Sequence, residues 1–262
     1  MRTIVIKAGG KAAESSESIA ALAEEIKDLN QKGDKIVFVH GGGAAVSAIQ
    51  KQYHLEPRFV DGKRLTSVRE MDLVDMGLAG QMNKYLVRIF QKSGLNPVGL
   101  SGADGSLILS SDASGTGSFE NRTGSVSKVN PALIQLLLNQ NYFPVLSSVS
   151  TDSSGKGMNI NADEAALAIA SSLEAEHLIF ISDIPGIMIK GTVVSSVNEK
   201  FIEESIDNGE IQGGMIPKVR SSLEAIRQGV HSIQISNYEK PGDLSKILSG
   251  YKGTCITLEE KK

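Results

Sequence analysis

Along this chain, short runs of adjacent apolar residues alternate with longer stretches in which apolar residues recur every third or fourth position. The short runs at 4–6, 36–39, 97–100, 143–146, 178–181 and 232–235 read as buried parallel strands, which are apolar on both faces. The longer stretches read as amphipathic helices. In residues 18–30, Ile19, Leu22, Ala23, Ile26 and Leu29 fall on one face. Further helices are expected over 44–53, 131–139, 162–172, 200–207 and 216–228. Residues 71–91 differ, because Leu73, Val74, Met76, Leu78, Met82, Leu86, Val87 and Phe90 cover more than one face. Such a helix is buried, in the core or partly against another subunit. Residues 110–125, rich in Ser, Gly, Thr and Asp, are expected to form a turn-dominated hairpin or an exposed loop. The alternation of strand and helix predicts an α/β fold with a largely parallel, open sheet. No repeat or clear linker interrupts it, and any division into two lobes falls near residues 150–175.

Composition narrows the partners. With 262 residues, 40% of them apolar, the chain can enclose a full core as one large or two small domains. Its 27 basic and 30 acidic residues leave a net charge of −3, with no basic excess to attract nucleic acid or an acidic membrane. A single cysteine, Cys255, permits no internal disulfide, and four scattered histidines with it make no metal cluster. No apolar run approaches the roughly 18 residues needed to cross a bilayer. The strand at 4–6 leaves no room before it for a leader peptide, so a soluble, cytoplasmic protein is expected.

The candidate chemistry begins where the strand at 36–39 runs into Gly41, Gly42 and Gly43 at the start of a helix. Backbone N–H groups at a helix N-terminus lack partners within the helix and favour negative charge, so three bare residues there suit an anion. A tight strand-to-helix turn is the plainer explanation, but it usually needs one glycine. Glycine-bearing turns also follow other strands, at 9–10, 102–105 and 186, and ligands of open parallel sheets bind beyond such strand ends. Lys7 ends the first strand, and Lys218 follows Gly213, Gly214 and Pro217 at a helix start. Either lysine alone reads as a solvated cation. Two aimed at one crevice would suit phosphoryl transfer, whose transition state spreads negative charge over the equatorial oxygens. The cluster Asn159-Ile160-Asn161-Ala162-Asp163 offers a carboxylate to hold two lysines or orient Mg²⁺, or else a helix cap. The Walker pattern Gly-x-x-x-x-Gly-Lys-Ser/Thr is absent, and no Gly-x-Gly-x-x-Gly follows the first strand.

Taken together, the segments 6–10, 40–43, Asp61-Gly62-Lys63-Arg64-Leu65-Thr66, Asn83-Lys84, 99–105, 159–163, 182–186 and 213–218 resemble the amino acid kinase family, in its branch that phosphorylates N-acetyl-L-glutamate. The resemblance spans nearly the whole chain. It implies the three-layer α/β/α fold of that family, with an acceptor lobe at about 1–170 and an ATP lobe at about 171–262. It implies transfer of phosphate from ATP, with Mg²⁺ carried by the nucleotide, to the γ-carboxylate of N-acetyl-L-glutamate in arginine biosynthesis. By position, Lys7 and Lys218 would flank the transferred group and Asp163 would organise them. Gly9, Gly10, Gly41, Gly42 and Gly43 would cradle phosphate and acceptor, Arg64 would pair with the α-carboxylate, and Asn159 would bind the amino-acid part. Asp183, Ile184, Pro185, Gly186, Ile187 and Met188, with Glu210, Ile211 and Gln212, would line the ATP site.

One segment departs from the family. Residues 119–126 read Phe-Glu-Asn-Arg-Thr-Gly-Ser-Val where relatives commonly carry a Val-Gly pair beside the acceptor. A related kinase acting on carrier-linked aminoadipate differs in the same region and stands as the alternative, ahead of a uridylate kinase or a non-catalytic amino-acid sensor on this fold. The short approach to Lys7 lacks the N-terminal helix of arginine-inhibited hexameric relatives. A homodimer joined through 71–91 and little inhibited by arginine is expected.

Overall fold

The computed structural model describes residues 2–9, 15–60, 63–113 and 120–258. In chain order it contains β1 (Thr3–Ala8), α1 (Ser16–Gln31), β2 (Lys35–His40), α2 (Gly43–Gln52), β3 (Arg58–Val60), β4 (Lys63–Leu65) and α3 (Val68–Val74). A π-helical segment (Asp75–Met82) then leads into α4 (Asn83–Lys92). Next come β5 (Pro97–Ser101), β6 (Ile108–Asp112), β7 (Thr123–Val129), α5 (Ala132–Asn139), β8 (Phe143–Ser147), β9 (Val149–Thr151), β10 (Gly157–Ile160) and α6 (Ala162–Ser172). The remainder is β11 (His177–Ile181), β12 (Met188–Ile189), β13 (Thr192–Val193), β14 (Ser196–Val197), α7 (Glu199–Asp207), α8 (Met215–Arg227), β15 (Ser232–Ser236), α9 (Asp243–Leu248) and β16 (Thr254–Ile256). Two compact units result, one of Met1–Ile36 with Ala170–Lys262 and one of Val37–Ile169. The chain leaves the second unit inside the 150–175 window, and its first 36 residues group with the C-terminal part.

In the discontinuous unit the strands lie in the order β14-β16-β15-β11-β1, parallel throughout except between β15 and β16. Ile4, Val5 and Ile6 are fully buried, as are Leu178, Ile179, Phe180 and Ile181, which is why these runs carry no polar alternation. Ser15 caps α1 by accepting from the Ser18 N–H, and the helix buries the expected face of Ile19, Leu22, Ala23, Ile26 and Leu29. From its polar side Glu25 reaches the start of α9, accepting from Tyr238 Oη at 2.7 Å, Gly242 N at 2.9 Å and Ser245 N at 3.2 Å. A carboxylate there satisfies donors that a short helix leaves open.

In the continuous unit β2, β8 and β5 run parallel, and Phe38, Phe90 and Phe143 pack on one another. Phe90 meets each of the other two edge-on with ring centroids 4.9 Å apart, the favoured geometry for aromatic pairs. Strands β10-β7-β6-β9 close a small barrel. Here the Ser/Gly-rich stretch becomes an antiparallel hairpin of β6 and β7, with residues 114–119 outside the described residues. The long apolar helix starts earlier than periodicity suggests, because Ser67 and Glu70 form a capping box. Its middle is π-helical around Gly77 and Gly80. A Cβ at Gly77 would lie 3.0 Å from Val46 Cγ2 and 3.2 Å from its Cα, so glycine lets this segment approach α2 closely.

Candidate active site

The glycine loop belongs to the continuous unit, where Gly42 caps α2 and Gly43 opens it. A Cβ on Gly42 would lie 2.9 Å from Leu78 Cδ2 and 3.2 Å from Met82 Cγ, so the π-helical segment packs directly on its backbone. A Cβ on Gly41 would meet that of Ala162 at 3.5 Å, which sets the loop beside the start of α6. Asn161 caps α6, its Oδ1 accepting from Asp163 N at 2.7 Å and Glu164 N at 3.4 Å. The polar cluster at 159–163 thus separates into parts: Asn161 is the cap, Asn159 lies on β10 and Asp163 stands in the first helical turn.

Arg64, on β4, reaches the same loop. Its guanidinium donates to Gly43 O at 3.0 Å, Ser47 Oγ at 2.8 Å and Gln50 Oε1 at 2.5 Å, and stacks 4.8 Å over the Phe59 ring. Burial lowers its pKa from the usual value, with the charge of Glu70 opposing. Gln50 is fully buried and passes the interaction on, its Nε2 donating to Glu70 Oε1 at 3.0 Å. Asn159 is tied to the same hairpin through a hydroxyl. Thr66 Oγ1 donates to Arg64 O at 3.2 Å and accepts from Asn159 Nδ2 at 2.9 Å, which leaves Asn159 Oδ1 directed away from Thr66. Thr123 Oγ1 also donates to Arg64 O, at 3.0 Å. Beside them Lys63 donates to Glu164 Oε2 and Ser125 Oγ, both at 3.0 Å, and Glu164 Oε1 accepts from Val126 N. Arg64, Asn159 and the glycine loop therefore form one hydrogen-bonded assembly.

The lysines belong to the discontinuous unit. Lys7 stands in register with Phe180 across β1 and β11, and Lys218 Nζ lies 4.7 Å from the centroid of the Phe180 ring. The structure thus sets Lys7 on the strand beside Phe180, the residue whose ring Lys218 covers. Lys7 folds back over Gly9, where a Cβ would collide with its Nζ. The Gly9 N–H itself donates to Ile181 O at 3.2 Å, so this glycine supplies space rather than an open donor. Gly10 lies outside the described residues, as do Asp61 and Gly62.

Residues 183–188 and 210–212 are gathered in the same unit. Ile187 N donates to Thr254 Oγ1 at 2.8 Å, and a Cβ at Gly186 would meet that same oxygen at 2.7 Å. The side chains of Ile187 and Ile211 are buried in the core, while Met188 is 47% exposed on the β12–β13 ribbon. Glu210 pairs with Lys190 of that ribbon at 3.0 Å, which links both stretches, while Gln212 donates locally to Gly209 O. Asp183, Ile184 and Pro185 form the turn after β11, where Ser182 Oγ accepts from Ile184 N at 3.4 Å. Among the described residues, no group of three or more His, Cys, Asp or Glu could hold a metal ion.

The sequence alone assigns no role to Ser47, Gln50, Thr66, Glu70 or Thr123. Gln50 had a signal: it follows Val46 by four residues on the buried face of α2, where an amide needs partners.

The chain matches the amino acid kinase family over residues 2–237. It is 36% identical over 239 residues to the acetylglutamate kinase of Geobacillus thermodenitrificans, covering 91% of each chain. It is 40% identical over 243 residues to that of Gracilaria tenuistipitata, covering 89% of this chain and 83% of that one. Among solved structures, smu.665 from Streptococcus mutans gives a TM-score of 0.81 at 28% identity, over 98% of this chain and 99% of that one. Giardia carbamate kinase gives 0.71 at 16% identity, over 98% of each chain, a likeness of fold alone.

Proposed function

We propose, from the premise that this chain belongs to the amino acid kinase family, that it transfers the γ-phosphoryl group of ATP to the γ-carboxylate of N-acetyl-L-glutamate. The products are N-acetyl-L-glutamyl 5-phosphate and ADP, a step of arginine biosynthesis. The observation that carries this reading is that Lys7 neighbours Phe180 in the sheet while Lys218 lies over the ring of the same residue. Two ammonium groups at the strand ends suit the charge that develops on a phosphoryl group in flight. The acceptor carboxylate is already ionised at neutral pH, so the reaction needs no general base. Asp163 is assigned the carboxylate that balances the cations.

The continuous unit is assigned to the acceptor. Arg64 takes its α-carboxylate, and Asn159 Oδ1, turned away from Thr66, takes a donor of its amino-acid part. Gly41, Gly42 and Gly43 offer backbone donors to the reacting carboxylate. The discontinuous unit is assigned to ATP, along 183–188 and 210–212, with the backbone at Ile187 and Ile211 as lining because their side chains are buried. Mg²⁺ fits this donor set only as a passenger on the nucleotide phosphates, since the described residues supply no carboxylate cluster for it. No helix among the described residues is long and apolar enough to cross a membrane, which accords with a cytoplasmic enzyme. A homodimer through 71–91 accords with Met76, a large apolar side chain that is 53% exposed on that stretch.

An ADP-release assay across N-acetylglutamate, N-succinylglutamate, glutamate and UMP tests the assignment. Turnover is expected with N-acetylglutamate, and its absence with every N-acylglutamate would overturn the reading.

A further inference from the structure

Behind the glycine loop runs a relay of buried polar side chains that the proposed chemistry does not use. His40, the last residue of β2, is fully buried, and its Nδ1 lies 2.7 Å from Gly41 O. A carbonyl only accepts, so Nδ1 carries the proton and Nε2 is an acceptor. Asn83, also fully buried, sets its Nδ2 3.1 Å from that Nε2, and its two N–H protons are shared between this nitrogen and two carbonyls. The same Nδ2 faces Val145 O at 2.9 Å and Leu100 O at 3.2 Å, while Asn83 Oδ1 accepts from Lys84 Nζ at 3.0 Å. Lys84 donates again to Gly99 O at 3.0 Å. A Cβ on Gly99 would collide with Asn83 Oδ1, so that glycine makes room for the relay. Each amide and ring orientation follows from its partners: a carbonyl on either side of Asn83 Nδ2, an ammonium on its oxygen.

The effect of the relay falls on the far side of one peptide. A trans peptide is planar, so the C=O of Gly41 and the N–H of Gly42 point in opposite directions. Holding the carbonyl toward His40 aims the Gly42 N–H away from the relay. Neither flanking residue has a Cβ to resist rotation of this peptide, so a bond from outside must set it. We propose that His40 is a positioning residue: its Nδ1–H, held in that tautomer by Asn83, fixes the Gly41–Gly42 peptide so that the Gly42 N–H serves as a donor to the acceptor carboxylate. The choice of acceptor rests on the N-acetylglutamate kinase reading; the relay does not. Burial keeps the imidazole neutral, its pKa pushed down to about 4, and buried between two partners it has no exposed nitrogen to act as a base.

Two variants separate the halves of the relay. Asparagine places an amide nitrogen near the site of Nδ1 and keeps a donor for Gly41, whereas glutamine reaches the site of Nε2, keeps a partner for Asn83 and loses that donor. His40→Gln is expected to lower kcat/KM for N-acetylglutamate by about 100-fold, the size typical for one misplaced donor to a reacting oxygen. His40→Asn is expected to stay within about tenfold of wild type. The KM for ATP should not move in either variant, and their thermal midpoints should be similar. Equal losses in the two variants, or none, would overturn the proposal. Long-range ¹H–¹⁵N spectra of histidine-labelled wild type supply a readout independent of turnover. A proton on Nδ1 is expected, and a proton on Nε2 instead would refute the relay even in an active enzyme. Wild type that shows the Nδ1 tautomer but phosphorylates no N-acylglutamate would refute the substrate reading and leave the relay standing.

Discussion

Acid should weaken this fold through His40, and the size of the effect follows from its burial. In the folded chain the imidazole titrates at about 4, chiefly because burial disfavours the cation; the hydrogen bond to Gly41 opposes this, and the charge of Lys84 adds to it. In the unfolded chain it titrates near 6.5. Between those values the unfolded state binds more protons, so stability is intact above about 6.5 and is lost as pH falls toward about 4. The interval is worth about 3 kcal/mol, and His40 is fully buried, so no solvent discount applies. Other groups also respond to acid, among them Asp34, whose carboxyl is held below its usual value by Arg2. They are common to wild type and to His40→Gln, and they cancel in the difference. Urea unfolding at pH 7, 6, 5 and 4, followed by circular dichroism, reads that difference at each pH, provided the slopes with denaturant agree. The advantage of wild type over the variant should shrink by about 3 kcal/mol from pH 7 to pH 4. Parallel curves, or an advantage that grows in acid, would refute the account of a neutral, buried imidazole.

Three further outcomes are expected. Lys218→Ala should lower kcat by about 100-fold or more with little change in either KM, because the contact proposed for it matters most in the transition state; unchanged turnover with looser binding would contradict that role. Arg64→Lys removes the fork that serves Gly43, Ser47 and Gln50, so the KM for N-acetylglutamate should rise by roughly tenfold or more while that for ATP stays put. Steady-state kinetics with each substrate varied will read it, and an unchanged acceptor KM would remove Arg64 from the site. Phe90→Ala opens the aromatic cluster of the continuous unit and should cost about 3–5 kcal/mol in urea melts, whereas a loss below about 1 kcal/mol would mean that the cluster collapses on the gap.

Most strands of the central layers were legible because their residues are buried on both faces, although β5 is mainly half-buried. The same rule hides β3, β4, β9 and β10, which span only three or four residues and mix polar with apolar side chains. Those short strands exist through pairings made across the barrel and hairpin, which no local pattern encodes. The start of α3 was written in the sequence, since Ser67 followed by Glu70 is a capping-box signature. The π-helical segment was not, because its apolar positions fit either pitch. Lys7, Lys218 and the glycine loop stood out by type and place, but the placing of Lys7 beside Phe180 needs the register of β1 on β11. Gln50, Thr66 and Asn83 act by joining groups far apart in the chain. Such joints show only once the chain is folded.

The discontinuous unit also imposes a timetable on synthesis. Residues 37–169 emerge as one uninterrupted stretch, within which β8 pairs with both β2 and β5. By contrast β1 precedes that stretch, and β11, with which it pairs where Ile4 meets His177, emerges after the whole of it. Lys7 therefore waits for Phe180 through most of translation, and the face proposed to handle phosphate is completed late. Ribosome-stalled chains ending shortly after residue 169 should resist a protease pulse across 37–169 and yield to it at the N-terminus. Protection of both regions at that length would show that β1 has no need to wait.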